Sequence, residues 1–212
     1  MTERPILMSA PMVRAILDGR KSQTRRVVKY AAPDLVDADG WPLSDRSREG
    51  IGDVRASCPY GVPGDRLWVR EAFWHQPAEF EPLASMTVPL VPAEMIYRAD
   101  VAADVLAEEK RRGVPGHLRW KPGIFMPRGL SRLTLELTSV RVERLQELGR
   151  ADAIAEGIFF DGRWDGWVSD SEGRHYHATD PVESYAGLWE AINGDGSWDA
   201  IPWVWVVEFR RA

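Results

Sequence analysis

The sequence predicts an α+β fold, a compact barrel of short strands with flanking helices. Short strand patterns outnumber helical ones, and no β-α-β rhythm recurs, which argues against a doubly wound sheet. Residues 133–145 alternate cleanly, with Leu133, Leu135 and Leu137 on one strand face. Residues 203–209 are apolar on both faces except at Glu208, the pattern of a sandwiched strand.

Each element has a local cause. Residues 5–8 open the chain as a strand. A helix follows over 10–18: Pro11 suits a first turn, where its missing N–H costs nothing. Met12, Val13, Ile16 and Leu17 share one face, and Gly19 suits the position after the last turn. Thr24 starts a strand. Residues 31–57 read as an irregular or hairpin excursion. Pro63-Gly64-Asp65 is a tight turn into a strand around Leu67 and Val69. Residues 75–96 are proline-rich without periodicity, 96–99 form a short strand, and 104–112 a charged helix ended by Gly113 and Pro115. After the long strand come a helix over 151–158, a loop or hairpin over 160–180, and a helix over 181–192 carrying Tyr185, Leu188, Trp189 and Ile192.

Composition narrows the function classes. At 212 residues, one domain with insertions fits. The opening residues contain no apolar run of the signal-peptide kind, and the longest apolar stretch, 201–207, is too short to span a bilayer. The single cysteine, Cys58, forms no internal disulfide and fits a reducing cytoplasm. Without a Cys cluster or His-rich motif, no structural zinc and no other metal or cofactor is expected. A net charge of −5 argues against a charge-driven nucleic-acid binder, since such proteins gain affinity by releasing phosphate counterions. Charge is uneven, however. Between residues 14 and 29, Arg14, Arg20, Lys21, Arg25, Arg26 and Lys29 face only Asp18. A local basic patch on an acidic body fits one small anionic ligand, a short piece of nucleic acid, or a solvated charged turn.

The densest chemistry lies in Gly19-Arg20-Lys21-Ser22-Gln23-Thr24-Arg25-Arg26, at a helix-to-strand turn. Thr24 and Arg26 share a strand face because the side-chain period is two, and Lys21 can curl toward either.

These residues resemble the G-x-K-x-x-T-x-R signature of the ASCH-domain family, relatives of the PUA-like β-barrels. The chain is similar to the larger versions common in phages and prophages. Pro63-Gly64-Asp65-Arg66-Leu67-Trp68-Val69 resembles the family's G-D-x-L-x-V turn and strand. The acidic helix around 152–157 and the final strand around 205–209 add to the likeness. Relative to the smallest members, about 31–57, 74–127 and 160–180 are insertions in a single domain spanning 1–212. One branch of the family removes the acetyl group from N4-acetylcytidine. The resemblance carries its catalytic Lys, Thr and Glu onto Lys21, Thr24 and Glu156. Other members bind RNA or are ribonuclease-like, so the fold does not settle the activity.

The resemblance implies an amidohydrolase for an N4-acylated cytidine or a related modified nucleobase. A threonine hydroxyl needs a neighbouring base to attack an amide, and a lysine serves when burial or nearby cations lower its pKa. On this expectation Lys21 activates Thr24, Glu156 handles the leaving-group proton, and Arg26 holds the oxyanion. Glu71 is a candidate to assist substrate binding, or else to pair with Arg70 or another cation. Trp68 is a candidate to stack a base, as are Trp120, Trp203 and Trp205, though tryptophans also build cores. His175 and His177 lack an evident third metal ligand. Two alternatives stand beside the enzyme: a non-catalytic module binding RNA or modified DNA, and a ribonuclease-like activity. The expected partner is a modified nucleoside, free or within RNA or modified DNA, with no membrane; self-association is left open.

Overall fold

The computed structural model describes residues 1–28, 58–75, 95–101, 120–169 and 178–212. The expected helix over 104–112, the excursion over 31–57, His175 and His177, and much of the stretches 74–127 and 160–180 lie outside the described residues.

In chain order the elements are β1 (Glu3–Leu7), α1 (Ala10–Leu17), β2 (Gln23–Val27), β3 (Arg66–Arg70), β4 (Phe73–His75), β5 (Met95–Tyr97) and β6 (Thr134–Arg144). These are followed by α2 (Arg150–Ala155), β7 (Phe159–Asp161), β8 (Gly166–Val168), α3 (Pro181–Asn193) and β9 (Trp203–Arg211). One five-stranded sheet, ordered β1-β3-β6-β9-β2, carries the fold. β1 runs parallel to β3 and every other pairing in it is antiparallel. β4–β5 and β7–β8 form separate two-stranded ladders. The α+β class follows directly.

The expected barrel closure is not seen among the described residues, where β1 and β2 remain the two edges of an open sheet. Their ends meet through a side chain instead: Arg26 Nη2 of β2 donates to the Leu7 carbonyl of β1 at 2.7 Å. That side of the sheet is covered by α1, whose Val13 and Ile16 join a core with Ile6, Leu67, Leu135, Leu137 and Val207.

β9 lies between β6 and β2, as its two apolar faces require. Trp205, Val207 and Phe209 enter the α1-side core, while Val204 and Val206 enter a second core with Leu145, Ala153, Ile158, Tyr185 and Trp189. Burying each such valine contributes about 1.5–3 kcal/mol, so both faces of the strand hold the molecule together. In β6 the register shifts between Leu137 and Ser139, and the buried face moves from Leu135 and Leu137 to Val140.

Two local expectations need correction. The strand expected over 96–99 is β5, and Arg98–Asp100 winds into a 3₁₀ turn. The helix expected over 151–158 ends earlier, because Glu156 is its C-cap and Gly157 adopts φ +106°, which stops the helical path.

Candidate functional site

That early stop shapes the site. A helix end leaves its last carbonyls without intrahelical donors. Here the segment after α1 supplies them: Arg20 Nη1 donates to Gly157 O (3.2 Å), Lys21 Nζ to Glu156 O (2.7 Å) and Ser22 N to Ala155 O (2.9 Å). Gln23 Nε2 adds a bond to Asp152 O at 3.1 Å. Gly19, at φ +75°, turns the chain so that this segment can reach α2. Much of the motif is thus a clamp between α1, α2 and the sheet.

Lys21 Nζ also lies 2.8 Å from Glu156 Oε2, with both side chains almost wholly buried. Arg25 donates from Nη1 to Glu156 Oε1 (3.3 Å) and from Nε to Glu143 Oε1 (3.1 Å). Arg141 pairs with Glu143, Asp152 and Glu208. Three cations therefore meet four carboxylates from β6, α2 and β9. The basic patch expected from residues 14–29 is neutralised where it enters the protein.

Burial pushes the Lys21 ammonium's pKa down, helped by Arg26 and Arg25 and opposed by the Glu156 carboxylate. Burial and the charge of Glu156 push the Tyr185 phenol well above its usual range, so it stays protonated.

A cavity of about 530 Å³ opens beside this cluster. Thr24, Arg26 and Glu156 line it, together with Tyr60, Tyr185 and Trp189. Thr24 is buried and its hydroxyl makes no hydrogen bond to a described residue. Arg26 Nε is likewise buried without a partner. The clamp accounts for Arg20, Lys21, Ser22 and Gln23, whereas Thr24 and the inner edge of Arg26 have no such structural employment.

The structure thus gathers Thr24, Arg26 and Glu156 around one cavity, with Lys21 behind Glu156 and outside the lining. It does not bring Glu71 or Trp68 there. Glu71 is held by Arg132 (Nε 3.0 Å, Nη2 3.2 Å), which also pairs with Asp100. Trp68 sits on β3 with Arg70 over its ring at 5.3 Å. Trp205 is core. Sequence reasoning missed Tyr60, Tyr185 and Trp189 as cavity walls. The helical pattern marked Tyr185 and Trp189 as apolar, and only the crossing of α3 over the end of α2 turns them toward Glu156. Among the described residues no group of three metal-ligating side chains is found, and no helix is long and apolar enough to cross a membrane.

The chain matches no family model, no curated protein and no solved structure. Its function must be argued from the site.

Proposed function

We propose that the protein is an amidohydrolase that removes an acyl group from N4-acylated cytidine or a closely related modified nucleobase, on a PUA-like ASCH scaffold acting in the cytoplasm. The observation that carries this reading is the buried Lys21–Glu156 pair at 2.8 Å, behind a cavity wall that also presents the unengaged Thr24 hydroxyl. The cavity volume lies within the usual range for small ligands, about 300–1,000 Å³.

In the proposed reaction Lys21 and Glu156 act as one proton-sharing pair. Thr24 Oγ1 bonds to the acyl carbon and its proton enters the pair. The C–N bond breaks as the pair returns a proton to the exocyclic nitrogen, leaving an acyl-threonine ester. Water then attacks that ester, gives its proton to the pair, and Thr24 regains one as the carboxylic acid departs. Arg26 offers positive charge to the oxyanion in both halves.

The test is incubation with N4-acetylcytidine and chromatography for cytidine and acetate. Lys21→Ala and Glu156→Ala are each expected to abolish turnover, as is Thr24→Val, while Thr24→Ser retains it. Unchanged rates in these variants would remove the residue assignment.

One observation favours a second reading, a base-binding module without chemistry. Lys21 and Arg25 are both engaged by the Glu156 carboxylate, and aromatic walls suit a planar ring. Binding without hydrolysis would select it, and steep salt dependence would point to a polymer. Shortening of labelled RNA would instead select the nuclease.

A further inference from the structure

The cavity wall away from the Lys21–Glu156 pair carries its own information. Trp189 is only 4% exposed, yet its indole Nε1–H has no hydrogen-bond partner. The hydroxyl of Ser197, in the turn after α3, is also buried and unpartnered, as is Arg26 Nε–H on β2. All three residues line the same cavity. Buried polar groups are normally satisfied, so three orphans around one cavity mark contacts that something else completes.

Their chemistry limits what that is. An indole N–H and a guanidinium Nε–H donate and cannot accept, while a hydroxyl does either. The complementary ligand presents acceptors, and a ring N–H aimed at Trp189 or Arg26 would meet donor against donor. The rings of Tyr60 and Tyr185 along the wall suit a flat heterocycle. Cytosine offers two adjacent acceptors, N3 and O2, and keeps both when N4 is acylated. Uracil carries an N–H at position 3, and guanine one at position 1.

We propose that Trp189, with Arg26 and Ser197, forms a selectivity edge that reads the N3/O2 acceptor face of a cytosine ring and rejects rings bearing an imide N–H. The choice of a nucleobase rests on the function proposed above; the donor-only character of Trp189 and Arg26 rests on their orphaned groups alone.

Binding of the product nucleoside tests this apart from catalysis. Cytidine and uridine are titrated against the full chain by calorimetry, with Trp189→Phe and Ser197→Ala alongside and unfolding midpoints recorded for each. The expected result is cytidine binding at least about tenfold tighter than uridine, the scale of one hydrogen bond won or lost. Trp189→Phe keeps the ring and loses the donor, so cytidine affinity falls about tenfold and the preference shrinks. Ser197→Ala, in the turn after α3, weakens cytidine severalfold and decides the matter if Trp189→Phe does not fold. Equal affinity for the two nucleosides, binding of neither, or both variants retaining the wild-type preference would overturn the proposal. Cytidine preference without hydrolysis of N4-acetylcytidine removes the amidohydrolase reading alone. Hydrolysis with kcat/KM unchanged in both variants removes this inference alone.

Discussion

Lys21 Nζ donates to two oxygens of one residue, the backbone carbonyl of Glu156 at 2.7 Å and its carboxylate Oε2 at 2.8 Å. A single ammonium thereby caps a helix end and neutralises a buried acid. Removing the Glu156 charge strands Lys21, and removing Lys21 leaves the buried Glu156 carboxylate with Arg25 alone. Lys21→Met or Glu156→Gln is expected to cost about 3–5 kcal/mol in urea unfolding, because an uncompensated charge or polar group stays buried. The double variant should lose much less than the sum of the two, giving a large coupling energy in a double-mutant cycle. Additive losses would show that the pair does not act as a unit.

Stability should also depend on this pair through pH. Burial lowers the Lys21 pKa below its ordinary 10.5. Between the lowered native value and 10.5 the unfolded chain binds more protons than the folded one, so stability from this group rises with pH across that window. Lys21→Met is expected to flatten the slope in unfolding midpoints measured up to pH 10.5.

Gly157 holds the turn that presents Glu156. Its φ is +106°, and a methyl placed on it would lie 3.2 Å from Ala15 Cβ and 3.4 Å from Lys21 Cβ. Gly157→Ala is expected to destabilise the fold by roughly 1–3 kcal/mol and to lower turnover through displacement of Glu156. A thermal midpoint unchanged from wild type would refute the first expectation.

Asp65 ties the start of the chain to the turn before β3. Its carboxylate accepts from Thr2 N at 2.7 Å and Val62 N at 3.3 Å, with Arg4 at 3.8 Å. The Thr2 bonds, then Val62 and Arg4, hold its pKa down from 3.8 to about 2. The stability it contributes is present above 3.8 and disappears as pH falls through about 2. Unfolding midpoints recorded between about pH 5 and 2 should show this acid loss in the wild type and a shallower one in Asp65→Asn.

Much of the framework is legible in the sequence because periodicity reports burial directly. The alternation around Leu135 and Leu137 and the two-faced apolar run of β9 announce strands whose neighbours the fold then supplies. Helices α1 and α3 are framed by Pro11 and Gly19 and by Pro181 and Gly194, residues whose backbone preferences act locally. The sheet order is not legible. The parallel pairing of β1 with β3 joins segments about sixty residues apart, and nothing in either five-residue stretch encodes its partner.

The candidate site divides the same way. Residue types within one short motif single out Lys21, Thr24 and Arg26, since chemistry belongs to side chains, whereas Glu156 is singled out only by the family resemblance. Tertiary structure decides that Lys21 meets Glu156, that Glu143, Asp152 and Glu156 neutralise Arg25, and that Glu71 belongs to Arg132. It also turns Tyr185 and Trp189 from helix-face residues into cavity walls. The carboxylates that meet Lys21 and Arg25 lie more than a hundred residues away, and a charge has no periodicity by which a sequence could reveal its counterion.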